Sequence, residues 1–396
     1  MPDSAGVLTH PVVAAAEALT QAARAGRGAA EAARRTPAAL AEQVAAAGLY
    51  QLYLPRTVGG PQVSPIEGFL AIEAISRGDG TVGWCAMIAS IMASQLARLP
   101  PEVGRELAGT PADYRACGSG RPGGPTAGRA WPVAGGWRVS GQWNFASGFD
   151  NARWLYCTCV EMAGEQPKLN AAGKPALRVV WIPQGDSRAI DTWHVLGMRG
   201  TGSRDFAVED AFVPARFSIP AEQTALLTDP LYHPRSLITL QWTLTVANAL
   251  GMARGAIDDL IALAGTEAST LNTTLLRDRP AVQRELGLAE AAVQSARAYV
   301  LSAVGALWAE LTAGQAPSDG AVAQARLAIV HGMHEAVRAV DKVFHAAGTN
   351  AIYQSLPLEK AFRDIHVAVQ HGASLPQYFE GAGKVLLGLR PSDPGW

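Results

Sequence analysis

A chain of 396 residues with 33 basic against 34 acidic side chains carries a net charge of -1, with 48% hydrophobic and 17% charged residues. Nothing in this balance points to nucleic acid or to an anionic membrane surface. The length allows one large globular unit of two or three domains. Four cysteines, Cys85, Cys117, Cys157 and Cys159, show no metal-ligand spacing, and Glu17, Arg24 and Arg27 interrupt the Ala-rich N-terminus. The expectation is a reduced, cytoplasmic protein without a signal peptide or a metal site.

Residues 1–115 read as an N-terminal helical domain. Ala-rich helices are predicted over 11–34 and 37–48, broken at Thr36-Pro37 and ended by Gly48. Leu54 to Gly60 is an extended turn. Helices follow from Pro65 to Arg77 and from Thr81 to Leu99, the second stopped by Pro100-Pro101. Over 116–230 glycine and proline become dense. Trp137-Arg138-Val139, Trp154 to Val160, Leu177 to Ile182 and Phe206 to Val213 read as strands of a small antiparallel barrel or sandwich. Residues 231–396 return to helical spacing. Leu286, Ala289, Val293, Ala296, Val300, Val304, Leu307 and Leu311 form one apolar stripe, and Val330, Met333, Val337, Val340 and Phe344 another. Such stripes are the core faces of a helix bundle. Two uncharged runs, 80–97 and 236–253, approach the length of a membrane span. Their Gln, Ser, Thr and Asn residues make them buried core helices instead. The fold class is α+β.

Several motifs offer chemistry. Arg363-Asp364-Ile365-His366-Val367-Ala368-Val369-Gln370-His371-Gly372-Ala373 places two imidazoles near the C-terminus. Ile365, Val367 and Val369 alternate like a strand, while Ile365, Ala368 and Val369 fit a helix. An imidazole accepts or donates a proton near neutral pH. Gly118-Ser119-Gly120-Arg121-Pro122-Gly123 matches a dinucleotide pattern, but no convincing strand precedes it and Pro122 forbids the helix that should follow. His331 and His334 share a helix face with Glu335 nearby, and no third metal ligand accompanies them.

Taken in order, five local motifs resemble the acyl-CoA dehydrogenase superfamily. They are Asp79-Gly80-Thr81-Val82-Gly83-Trp84, Gly136 to Gly148 (containing Phe145-Ala146-Ser147), Leu196 to Ser203, Phe212-Val213-Pro214 and Gly348-Thr349-Asn350. The resemblance implies an N-terminal helical domain, a central β domain and a C-terminal four-helix bundle. In the dehydrogenases an Arg-Asp pair is followed by a catalytic Glu-Gly. Here His371 precedes Gly372. The family's other carboxylate position falls near Gln241, with no Asp or Glu between Pro230 and Asp258. The resemblance is therefore to the flavin-dependent monooxygenase branch, which includes hydroxyphenylacetate, dibenzothiophene and steroid-ring hydroxylases.

That resemblance implies the oxygenase component of a two-component system. It would take reduced flavin, FMNH2 or FADH2, from a separate flavin reductase. With O2 it would hydroxylate a small aromatic substrate through a C4a-hydroperoxyflavin. His371 and Ser147 are the implied catalytic residues. Phe145, Ala146 and Ser147 would lie against the flavin, and Arg277, Gly348, Thr349 and Asn350 would reach the flavin of a neighbouring subunit in a homotetramer. His366, about 140° from His371 around a helix, would face elsewhere. Glu380-Gly381 falls too late to replace the missing Glu-Gly. One departure is that residues 81–99 lack the further His that some members carry. The alternatives are an atypical acyl-CoA dehydrogenase and a degenerate flavin-fold assembly partner.

Overall fold

Prolines and caps divide the first hundred residues into helices. The structure, a computed structural model, describes residues 10–110, 113–119, 127–268 and 274–391. Helix α1 (Pro11–Ala33) ends at Arg34, whose backbone is left-handed, and α2 (Ala38–Ala46) restarts after Pro37. Helix α3 (Pro65–Gly78) opens with a capping box. The Ser64 hydroxyl accepts from Glu67 N, and the Glu67 carboxylate accepts from Ser64 N. Asp79 caps α4 (Gly80–Ser94), and α5 (Pro101–Ala108) follows. Helix α4 joins two cores. Val82, Ala86 and Met87 pack into the helical core, and Ala93, with Leu96 of the turn that follows, into that of the β domain. Gly80–Arg98 is long and apolar enough to cross a membrane by length and composition, and 72% of its apolar window is buried inside the fold.

The β domain contains β1 (Ala116–Ser119), β2 (Gly128–Val133), β3 (Gly136–Ala146), β4 (Trp154–Ala163), β5 (Gln166–Pro167), β6 (Leu177–Pro183), β7 (Arg188–Ile190), β8 (Arg204–Pro214) and β9 (Ser218–Pro220). The strand order is β7-β8-β3-β2-β4-β6-β9, with β1 and β5 also pairing with β4. All four strands read from alternation are present. The expected antiparallel pairing needs correcting at two places, because β4 pairs parallel with both β1 and β2. The reason is competition for edges. Strands β2 and β3 form a hairpin, and β8 occupies the other edge of β3. The chain leaving β3 must therefore cross to the free edge of β2, where β4 runs parallel.

The C-terminal helices are α6 (Leu237–Ala264), α7 (Pro280–Thr312), α8 (Asp319–Ala347), α9 (Pro357–Ala368) and α10 (Gln377–Leu386). Ala289, Val293, Ala296, Val300, Val304, Leu307 and Leu311 are all buried on α7, and Val330, Met333 and Val340 on α8. Three helices are long. The fourth place in the bundle is shared by α9, packed on α6 and α8, and α10, packed on α8. The chain between these two short helices is an irregular turn that carries His371.

Candidate active site

The turn around His371 corrects the helical reading of that stretch. Helix α9 stops at Ala368, and His371 is the N-cap of a short 3-10 turn, Gly372–Ser374. Ser374 ends the helix from its far side. Its hydroxyl contacts the carbonyls of Val369 and, at 2.8 Å, His371. Exposed Pro376 then prevents immediate helical continuation. His371 Nδ1 accepts from Ala373 N at 3.2 Å. In the neutral ring the proton therefore sits on Nε2, which is a donor.

At the end of β3 the backbone is distorted. Pairing with β8 slips between Trp143 and Ala146, and inside this bulge Phe145 has φ of 59°. A left-handed aromatic residue is strained and persists only where its surroundings hold it. The distortion turns the Phe145 ring outward, 65% exposed, with its edge contacts made to Trp193 at 6.1 Å. Ala146 is fully buried and anchors the turn. Gly148, at φ of 81°, completes it, and its N–H donates to Thr201 O at 2.8 Å.

Trp84 connects these two regions. Its indole Nε1 donates to Ser147 Oγ at 3.1 Å, and its ring meets the His371 ring edge-on at 5.4 Å. The two catalytic residues implied by the resemblance, about 220 positions apart in the chain, thus touch one side chain. The reading of the sequence placed Trp84 only at the start of a helix and gave it no role. The available signal was a lone bulky indole among the small residues of Gly80-Thr81-Val82-Gly83-Trp84-Cys85-Ala86. Trp84, Ile88, Ile91 and Met92 are the half-buried residues of α4, the rest of which is buried, and half-buried Gln95 follows as its C-cap. Together they form an apolar wall ending in an amide.

Ser147 is held from behind. Its Oγ lies 2.7 Å from Ser203 Oγ, which lies 2.6 Å from Thr201 Oγ1, which donates to Met198 O at 2.8 Å. The Arg-Asp pair supports the same loop and does not enter the site. Asp364 accepts from Met198 N at 2.5 Å, and Arg363 donates to Leu196 O at 2.7 Å. Between them Gly197 admits no side chain, since a Cβ there would lie 2.3 Å from Arg363 O. Lys360 bonds Asp364 at 2.5 Å and Asp79 at 3.3 Å. Burial pulls its ammonium down, but Asp364 and Asp79 outweigh that and hold it above its ordinary value.

The other candidate residues form a second group. Arg277 is exposed, 3.9 Å from Asp278, in the turn before α7. Gly348 ends α8 with φ of 59°, Thr349 is exposed, and Asn350 Nδ2 donates to Ala268 O at 3.4 Å. Ala268 in turn bridges Leu275, two residues before Arg277. His366 faces away from His371 and pairs with Asp341 at 2.9 Å. Gln241 stays on the buried side of α6 and donates to Ser94 Oγ at 2.9 Å. Glu380 is exposed at the start of α10, and His334 contacts Ser374 O at 3.0 Å. Of the Gly-rich 118–123 motif, residues 120–123 lie outside the described residues. A separate cleft of about 980 Å³ lies between α1, residues 194–199 and α9. Its Arg24, Arg34, Arg199 and Arg363 are all paired with carboxylates, so it presents no free cation among those four.

Residues 13–103 match the acyl-CoA dehydrogenase N-terminal domain, and residues 243–375 match the acyl-CoA dehydrogenase C-terminal domain. An indole-3-acetate monooxygenase of Pseudomonas putida is 30% identical over 349 residues, covering 88% of this chain and 86% of that protein. The chain belongs to the flavin-dependent monooxygenase branch of the acyl-CoA dehydrogenase superfamily. The oxygenase component of an FADH2-dependent resorcinol hydroxylase from a Rhizobium species is 27% identical over 91% of this chain and 90% of its own. The crystal structure of 3-HSA hydroxylase from Rhodococcus sp. RHA1 has a TM-score of 0.85 at 27% identity, covering 98% of this chain and all of that one. The residues in this monooxygenase fold fit a flavin. Phe145 offers an exposed flat face, Ser147 a buried hydroxyl beside it, and His371 a ring donor across Trp84.

Proposed function

We propose that this protein is the oxygenase component of a two-component flavin-dependent monooxygenase that hydroxylates a small aromatic substrate. One observation carries the reading: Ser147 and His371 converge on the Trp84 indole beside the outturned Phe145 ring. The resorcinol hydroxylase relative, by its name an FADH2-dependent oxygenase component, supports reduced flavin as cofactor and a separate reductase as its source. Bound reduced flavin would supply the two electrons that leave one oxygen atom of O2 in product and the other in water.

The protein's own groups have distinct tasks. Phe145 would pack on the flavin ring, and Ala146 fixes the turn that presents it. The Ser147 oxygen would bond the ring edge at N5, where the family resemblance puts it. His371 donates through Nε2 toward the space where oxygen and substrate meet. The Trp84, Ile88 and Ile91 stripe holds the substrate's flat apolar body and excludes water. The amide of Gln241 supplies no carboxylate base, which argues against acyl-CoA dehydrogenation.

The second group belongs to a shared site between subunits. Arg277 suits a flavin phosphate, since its guanidinium is a fork of donors, and Gly348 to Asn350 form the adjoining turn. A homotetramer accounts for the apolar side chains left open near the C-terminus, including Ile352, Tyr353, Leu386 and Leu387, exposed by 61%, 54%, 67% and 77%. We place the enzyme in the cytoplasm, where its four free, buried thiols stay reduced.

The test is turnover with a flavin reductase, NAD(P)H, O2 and a panel that includes indole-3-acetate, resorcinol and other small phenols. Coupled formation of a hydroxylated product is the expected result. Reduction of the bound flavin by acyl-CoA thioesters at enzymatic rates would overturn the proposal in favour of a dehydrogenase.

A further inference from the structure

We infer that Ser203 and Thr201 fix the direction of the Ser147 hydroxyl, and that this direction makes the site prefer reduced over oxidised flavin. The inference rests on the flavin reading above. Four contacts form a line running from the indole into the β domain. Trp84 Nε1 meets Ser147 Oγ at 3.1 Å, Ser147 meets Ser203 Oγ at 2.7 Å, Ser203 meets Thr201 Oγ1 at 2.6 Å, and Thr201 meets Met198 O at 2.8 Å.

Counting protons settles their order. Each hydroxyl has one proton and two lone-pair sites. The ends of the line allow no choice, because an indole N–H only donates and a carbonyl only accepts. Thr201 must therefore donate to Met198 O. Ser203 must then donate to Thr201, and Ser147 to Ser203. Any other arrangement sets two lone pairs against each other at hydrogen-bond distance. Ser147, Thr201 and Ser203 are only 6%, 1% and 3% exposed, so bulk water offers little escape from this order.

Ser147 thus directs its proton inward. One of its lone pairs is taken by Trp84, and the other is left for a ligand. Reduced flavin carries a hydrogen on N5 and donates there. Oxidised flavin has a bare N5 that only accepts. A lone pair on Ser147 attracts the first and repels the second. Ser203 and Thr201 are positioning residues, acting through Ser147.

The experiment compares Ser203→Ala and Thr201→Val with the unmodified protein. Equilibrium binding of oxidised and of anaerobically reduced FMN and FAD is measured for each. In both variants the Ser147 proton is released to turn outward. The ratio of the oxidised to the reduced dissociation constant is expected to fall on the order of tenfold. For this two-electron couple a tenfold fall lowers the bound flavin's potential by about 30 mV. Thr201→Ser keeps the donor and is expected to keep the native ratio. A folded variant pair that binds reduced flavin with the native ratio would overturn the inference while leaving the proposed function intact. An unmodified protein that bound neither flavin would remove both.

Discussion

At His371 the backbone supplies chemical information that the sequence does not. Because Ala373 N–H occupies Nδ1, the neutral ring carries its proton on Nε2. His371→Ala should lower coupled hydroxylation by roughly 10²–10⁴-fold, the usual worth of a positioned acid or base. Reduced-flavin binding should largely survive, because Phe145 and Ser147 stand on a different element. Product yield per flavin oxidised, with hydrogen peroxide measured in parallel, checks this. Near-native yield would show that His371 is only the cap of its turn.

Among the elements, the contact that matters most is between α9 and the loop at 195–198. Asp364 reaches across to Met198 N and holds the buried Lys360 together with Asp79, with side chains 4%, 13% and 0% exposed. Asp364→Ala removes one acceptor and leaves a buried ammonium with one partner. Breaking a buried pair in this way costs about 3–5 kcal/mol. The expected result is a clear fall in the urea midpoint at unchanged slope. A change under about 1 kcal/mol would mean that the loop is held by other contacts, such as those of Arg363. The fall should be accompanied by weaker coupling, because Met198 O is the fixed end of the hydroxyl line behind Ser147.

At the scale of the whole molecule, the four thiols report on packing. Burial pushes Cys85 up to about 12 and raises Cys117, Cys157 and Cys159 as well. In the unfolded chain these thiols ionise near pH ~8.5. The folded state holds their protons to higher pH, so its advantage is complete below that value and declines as pH rises through the folded values. A thiol reagent at pH 8 should find the native protein unreactive and label all four cysteines after denaturation. Rapid native labelling of any one would mean that its core opens. Assembly is tested by light scattering. A tetramer is expected, and an active monomer would remove Arg277 and Gly348 to Asn350 from the flavin site.

Much of this protein was determined by sequence alone. Apolar spacing on α7 and α8 specified a bundle, since a stripe repeating every three to four residues must be buried against other helices. The motif series placed Ser147 and His371 in one family of sites, and the absence of a carboxylate near Gln241 separated this chain from the dehydrogenases. Tertiary structure decided the rest. Period-two patterning says which face of a strand is buried, not which neighbour it pairs with, so the parallel pairings of β4 came only from competition for sheet edges. The positive φ of Phe145 arises from a slip in pairing with β8 and leaves no trace in local composition. The end of α9 before His371 depends on Ser374 reaching back to two carbonyls, a choice close to balance in a stretch that fits both strand and helix. The meeting of Trp84, Ser147 and His371 joins residues from all three parts of the chain, and only packing brings such distant positions onto one indole.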